Sequence, residues 1–337
     1  MSDGAPAPGW PDPFFRPLSG AAMPRYAGPA TFLRLPHVPE GHPRRGEVEI
    51  GLLGMPWDGG TSNRPGARHG PRALRDASTM LRERNGATGQ VPTALARCAD
   101  MGDVRMNPVD QPEALRSLTD AVAGLRRAGT RPLAVGGDHL CSYGLLRGLA
   151  EAGDPPPALV LLDSHTDLNP PYLGDRFLSH GNPFRRAVEE GLIDPVRSTL
   201  IGMRGTSYDG ADMAFAAEAG ILVVTGDAMF AGGIDAAAGE ARARAGEGPA
   251  YLSFDIDFVD PAFAPGTGTP EVGGPSSREA LAAVRALHGL RLVGADLVEV
   301  SPPFDVGQAT TWLGASVLFE LLCAMVAAPG PPSPRAA

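Results

Sequence analysis

Short runs rich in aliphatic and β-branched residues recur along this chain. Each is followed by a turn and then by an Ala/Leu/Arg-rich stretch with helical spacing. The apolar runs occupy residues 48–54, 132–135, 158–162, 199–202, 221–224, 250–254 and 292–300. Helical spacing covers 71–84, 112–128, 143–151, 184–190, 209–219, 234–245, 278–288 and 309–326. Strand and helix in alternation predict an α/β fold in three layers: a mostly parallel sheet of roughly eight strands, covered by helices on both faces. Runs without polar alternation, such as ALVLL at 158–162, fit strands buried on both sides. No linker breaks the pattern, so residues 31–328 read as a single domain. Pro, Gly and Ala crowd residues 1–30 and 329–337, which read as disordered or draped segments.

Composition narrows the partners. A formal net charge of −9 argues against nucleic acid, which calls for a basic patch. Cys98, Cys141 and Cys323 have no paired spacing and read as free thiols in a reducing cytoplasm. Cys141 follows Asp138 and His139 and reads as a small buried helix residue. The first residues, MSDGAPAPGWPDPFF, lack the basic and apolar regions of a signal peptide. The longest apolar run, 317–328, contains Glu320 and is too short for a bilayer, so a buried helix is expected and no membrane partner.

Three apolar runs end in similar polar chemistry. LAVGGDHL carries His139, LVLLDSHTDLN carries Asp163, His165 and Asp167, and YLSFDIDF carries Asp255 and Asp257. A carboxylate among apolar neighbours needs a partner, and a parallel sheet brings its strand ends to one edge, where ligands bind. Residues i and i+2 on a strand point the same way, so Asp163 and His165 share a face, as do Asp255 and Asp257. Four carboxylates and two imidazoles suit a hard divalent ion such as Mn²⁺. They are enough for two ions roughly 3.5–4 Å apart. The Gly-rich stretch WDGGTSNRPGARHGPRALR lacks the Gly-Lys-Ser/Thr ending of a phosphate loop and reads as structural.

These motifs, with SHGNPFRRAVEEG, GMRG, SFDIDFVDPAFAPGTGTPEVGG and GADLVEVSPP, give the chain a resemblance to the ureohydrolases, agmatinase-like branch, from about residue 24 to 325. The resemblance implies the arginase-like fold and two Mn²⁺ per subunit. It also implies hydrolysis of a guanidino group to urea and an amine by a metal-bridging hydroxide. Carried over by position, His139 and Asp167 hold one ion, His165 and Asp257 the other, and Asp163 and Asp255 bridge. Glu299 would pair with the guanidinium, and His180 matches a mobile proton-shuttle histidine. Leu140 and Ser164 depart from the family pattern, which usually has a small hydroxyl residue and Ala there. Neither departure removes a ligand, though both alter the surroundings of ligands. A homo-oligomer, trimeric or hexameric, is also implied.

Asn169 matches a carboxylate-contacting asparagine, and Arg176 offers a cation to a terminal carboxylate. No acid replaces Gly205 and Ser207, where arginases receive an α-ammonium. The expected substrate is therefore 4-guanidinobutanoate, ahead of agmatine and of a larger guanidino natural product. Two other readings stay open: a metal-dependent deacetylase of related fold, and a metal-binding regulator without turnover.

Overall fold

The apolar runs pair as expected into one sheet. The computed structural model describes residues 12–171 and 178–327. Its strands are β1 (Ile50–Met55), β2 (Cys98–Asp103), β3 (Arg131–Gly136), β4 (Ala158–Leu162), β5 (Thr199–Met203), β6 (Leu222–Thr225), β7 (Pro249–Asp255) and β8 (Arg291–Val298). They lie in the order β2-β1-β3-β8-β7-β4-β5-β6, and every neighbouring pair is parallel.

The helices are α1 (Gly70–Ser78), α2 (Pro92–Leu95), α3 (Gln111–Arg127), α4 (Leu140–Glu151), α5 (Pro183–Glu189), α6 (Ala211–Ala219), α7 (Gly226–Gly232), α8 (Ile234–Ala245), α9 (Ser277–Ala286) and α10 (Ala309–Ala327). Local chemistry starts several of them. Asp110 accepts from the Glu113 N–H at the head of α3, and Ser276 and Glu279 form a reciprocal capping box on α9.

Alternation along β4 shows how two cores arise from one sheet. Ala158, Val160 and Leu162 pack with α1, α8, α9 and α10, whereas Leu159 and Leu161 face the side covered by α3, α4, α5 and α6. Both sets are fully buried, as a strand between two helical layers requires. α10 is long and apolar enough to cross a membrane, but here it is a core helix. Leu318, Leu321 and Leu322 are buried in the first of these cores.

One strand lay outside the apolar runs. β2 reads CADMGD, pairs with β1 at the sheet edge, meets only an isolated bridge from His37 to Asp100 on its other side, and ends in Asp103. Edge strands need no continuous apolar run. Of the expected terminal segments, residues 1–11 and 328–337 lie outside the described residues. Residues 12–30 lie against the domain. Phe15 is buried, and the Leu18 N–H donates to the Arg34 carbonyl.

Candidate metal centre and catalytic pocket

The four central strands, β3, β8, β7 and β4, deliver the six expected ligands and Glu299 at or just beyond their carboxyl ends. β3 runs through Gly136 into Asp138 and His139, the residue that opens α4. β4 leads to Asp163, β7 ends on Asp255, and β8 leads to Glu299. A side chain at Gly137 is impossible, because a Cβ there would stand 2.1 Å from the Trp57 carbonyl.

Asp163/His165 and Asp255/Asp257 converge by a route the strand argument did not foresee. β4 stops at Leu162, and β7 turns into a 3₁₀ helix at Ile256–Phe258. The side chains come together through turns instead. Asp163 Oδ1 accepts from the His165 N–H at 2.7 Å, and Asp255 Oδ1 accepts from the Asp257 N–H at 2.8 Å. These side-chain turns replace the expected alternation, and each leaves the other carboxylate oxygen free to face the cluster.

All six expected ligands meet. His139 Nδ1 lies 3.2 Å from Asp163 Oδ2, 2.9 Å from Asp167 Oδ2 and 3.1 Å from Asp255 Oδ2. His165 Nδ1 lies 3.1 Å from Asp257 Oδ2 and 3.6 Å from Asp163 Oδ1. The donors fall into two groups able to hold a metal ion, His139/Asp163/Asp167 and Asp163/His165/Asp257, with Asp163 common to both. Asp255 sits with the first group, and among the described residues it makes no ion-pair contact with His165. His139 Nδ1 and Asp163 Oδ2 are buried without a hydrogen-bond partner, as expected of atoms arranged to face a cation.

Electrostatics agree with the geometry. Burial, then the charges of Asp257 and Asp167, push Asp163 up to about 6, and burial with Asp257 and Asp163 pushes Asp255 well up. Burial opposes charge on His139 and His165, yet the surrounding carboxylates raise both well above the usual histidine range. Without a cation the cluster gathers protons, and a metal ion competes for the same places.

Behind His139 stands a polar chain that sequence reasoning missed. His139 Nε2 is 2.8 Å from Ser253 Oγ. The fully buried Asp296 accepts from Ser253 Oγ, Ser142 Oγ and the Tyr251 hydroxyl at 2.5–2.7 Å. With the Ser253 hydroxyl donating to Asp296, its oxygen accepts from Nε2–H and leaves Nδ1 for a ligand. Asp296 looked like an ordinary strand residue because its partners come from β7 and α4. Of the two departures, Ser164 donates to Asp257 Oδ1 at 2.6 Å and so helps orient it. Leu140 is buried against Gly60, where a Cβ would lie 3.0 Å from Leu140 Cβ.

Glu299 and His180 also meet at this edge. Glu299 has left-handed backbone (φ 63°), as does Asp167 (φ 51°), a strained state for residues other than glycine. Glu299 Oε1 accepts from the His139 N–H at 3.0 Å and lies 2.9 Å from His180 Nδ1. Its Oε2 is buried and unpartnered. A mobile histidine was implied, but His180 is 7% exposed and engaged at both nitrogens. Nε2 lies 2.7 Å from Ser62 Oγ and accepts from the Ser62 N–H at 3.1 Å. Ser62 belongs to the Gly-rich stretch read as structural. Its loop is tied down by Asp138, whose Oδ2 accepts from the Gly60 N–H at 2.6 Å.

A cavity of about 540 Å³ opens over the cluster, with His165, Asp167, Asn169, His180, Asp255 and Glu299 on its wall. Asn169 Nδ2 donates to the Gly181 carbonyl, and Arg176 lies outside the described residues. Asp212 and Glu271 also line the cavity, so acids do face it, from positions the sequence comparison around Gly205 did not reach.

Fold and cluster together define an α/β protein with a carboxylate–imidazole centre able to bind metal ions where its central strands end. The chain belongs to the arginase family, whose model matches residues 48–324. It is 49% identical over 308 residues to the guanidinopropionase of Pseudomonas aeruginosa, covering 91% of this chain and 95% of that protein. It is 41% identical over 310 residues to the guanidinobutyrase of the same organism, covering 92% and 96%. The solved structure of proclavaminate amidinohydrolase from Streptomyces clavuligerus matches with a TM-score of 0.83 and 41% identity, covering 91% of this chain and 100% of that one.

Proposed function

We propose that this chain hydrolyses the guanidino group of a small linear guanidino compound to urea and an amine at a dinuclear manganese centre. The observation that carries the reading is Glu299 Oε2, buried and unpartnered on the cavity wall beside the metal-ligating cluster. A buried carboxylate oxygen without a partner is costly. A planar guanidinium, with its fork of N–H donors, is the group that satisfies it.

Four carboxylates and two imidazoles without a thiolate favour a hard divalent ion, and manganese fits. His139 and Asp167 would hold one ion and His165 and Asp257 the other, with Asp163 and Asp255 shared. When bound, the ions would make a water acidic enough to attack near neutral pH. The chain's own residues do the rest. Glu299 uses Oε2 to orient the substrate and Oε1 to hold both the His139 backbone and His180. His180 supplies a proton to the departing nitrogen as the carbon–nitrogen bond breaks. Its Nε2 accepts from the Ser62 N–H when neutral, and when protonated Nε2–H turns to Ser62 Oγ.

For the far end of the substrate, we favour an ω-guanidino acid of three or four carbons. The two Pseudomonas relatives named for guanidinopropionate and guanidinobutyrate hydrolysis support it, as does Asn169 on the cavity wall. Asp212 and Glu271 support a second reading, agmatine, whose distal ammonium would meet a carboxylate. Urea release from 3-guanidinopropanoate, 4-guanidinobutanoate, agmatine and arginine, compared as kcat/KM, separates the two. Preference for arginine, or no urea from any of the four, overturns the proposal.

A further inference from the structure

A second cavity, of about 490 Å³, shares no lining residue with the one over the metal-ligating cluster. Its walls come from the N-terminal segment, the chain beyond α1, and α10. Five arginines line it, Arg16, Arg25, Arg34, Arg82 and Arg84, and Glu83 is the one acid among the described lining residues. Five positive charges less one leave an excess of four, in a chain whose net charge is −9. Like charges gathered against the overall balance repel one another unless an anion joins them.

Arg34 is the anchor. It is 8% exposed, and both terminal nitrogens donate to the Met23 carbonyl at 3.1 Å. Arg25 likewise donates to a backbone carbonyl, that of Met80. Arg16 approaches an acid among the described residues, Glu83 at 4.0 Å. Among the described residues, no carboxylate lies within ion-pair distance of Arg25, Arg34, Arg82 or Arg84. The carbonyls satisfy hydrogen-bond donors of Arg34 and Arg25 but do not neutralise their charge, which leaves the cavity wall electropositive.

The backbone adds an independent observation. Leu33 and Arg34 are consecutive left-handed residues, with φ 56° and 59°. Five residues other than glycine have positive φ among those described, and two of the others are Asp167 and Glu299. Strain of this kind persists where the surroundings hold it for a purpose. Here it accompanies the burial of Arg34 at the cavity wall.

Ser19 and Thr93 add hydroxyl groups to the wall, and the rest of it is largely apolar. Leu18, Leu33, Leu81 and Phe319 face the same space. A bare phosphate would leave most of a 490 Å³ cavity unfilled. Guanidinium forks match phosphate oxygens, and an apolar wall with one aromatic ring suits a flat organic body.

We propose that this cavity binds a phosphorylated small molecule of nucleotide size, at a second site separate from the hydrolytic one. The anion neutralises the arginines and fastens residues 16–34 to the chain beyond α1 and to α10.

The test is calorimetry and thermal unfolding of the full-length, manganese-loaded protein with adenosine 5′-monophosphate, and with adenosine as the uncharged control. The nucleotide is expected to bind once per chain with a Kd below about 1 mM and to raise Tm, since a ligand of the folded state stabilises it. Adenosine is expected to do neither. The double variant Arg82→Ala/Arg84→Ala changes only exposed side chains. It should weaken nucleotide binding by about tenfold or more, as loss of charge-assisted contacts does, and leave guanidino hydrolysis unchanged. Absence of nucleotide binding, equal binding of adenosine, or wild-type affinity in the double variant each overturns the proposal.

Discussion

Glu299 and His180 are tied to each other, with Oε1 of the one 2.9 Å from Nδ1 of the other. The carboxylate proposed to orient the substrate is therefore also the group that positions the proton donor. Only Oε2 remains for the guanidinium.

Glu299→Gln keeps the shape but removes the charge from both contacts. Losing one partner of a buried, hydrogen-bonded charge pair costs roughly 2–4 kcal/mol, so kcat/KM should fall by on the order of 30- to 10³-fold. Metal content should stay unchanged, because Glu299 is not among the grouped ligands. A variant with wild-type kcat/KM on the best substrate would remove Glu299 from substrate recognition.

His180 gives the pH dependence. Burial disfavours its charged form, but the Glu299 charge and hydrogen bond outweigh that and push it up to about 9. The stability gained from this pair is fully present below the ordinary histidine range and is lost as pH rises through about 9. The same proton is the one to be donated, so kcat/KM should decline on the alkaline side. Bound cations, which repel an imidazolium, move that decline to lower pH. His180→Ala should lower kcat by on the order of 10²-fold and lose the alkaline decline while keeping its metal. An unchanged rate from about pH 6 to 10 would reduce His180 to a wall residue.

Asp163 belongs to both groups able to hold a metal ion. Asp163→Ala should lower bound metal from two ions towards one or none and abolish urea release. Stripping the wild type with chelator should lower Tm, because the buried carboxylates then lose the cations that hold them together. Manganese should restore it. Elemental analysis that finds a single zinc and no manganese requirement in the active protein would sink the dinuclear reading.

Asp296 acts at a distance from the cavity. It accepts three O–H donors, and Asn in its place keeps one acceptor oxygen and brings an NH₂ against them. Asp296→Asn should leave His139 poorly oriented and weaken metal affinity by about 10- to 100-fold. Excess manganese should recover much of the activity. Metal titration showing wild-type affinity would make the Asp296 chain purely structural.

The fold was legible where burial dictates composition. β4 is bounded in sequence and structure alike at Ala158–Leu162 because a strand covered on both faces has no room for polar residues. β2 escaped because an edge strand carries no such requirement. At the site, the convergence of six acidic and imidazole residues could be foreseen because each follows an apolar run, but their local geometry could not. The Asp163 and Asp255 turns depend on side-chain acceptance by a backbone N–H two residues on, which period-two reasoning does not contain. Ser62 and Asp296 were illegible for another reason. Ser62 acquires its role from His180, far along the chain, and Asp296 from Ser253 on the neighbouring strand, which in turn reaches the distant His139.

The strand order has a consequence for how the chain is made. β8 is last in sequence, yet it lies between β3 and β7. Without it, no strand joins β2-β1-β3 to β7-β4-β5-β6. His139 then stands on one half and Asp163, His165, Asp167, Asp255 and Asp257 on the other. Domains with such long-range pairings assemble late and expose open strand edges while they wait. Pairing of β8 is what brings the two halves of the candidate metal centre together, so capture of a full set of ions by a growing chain would report that the sheet has closed.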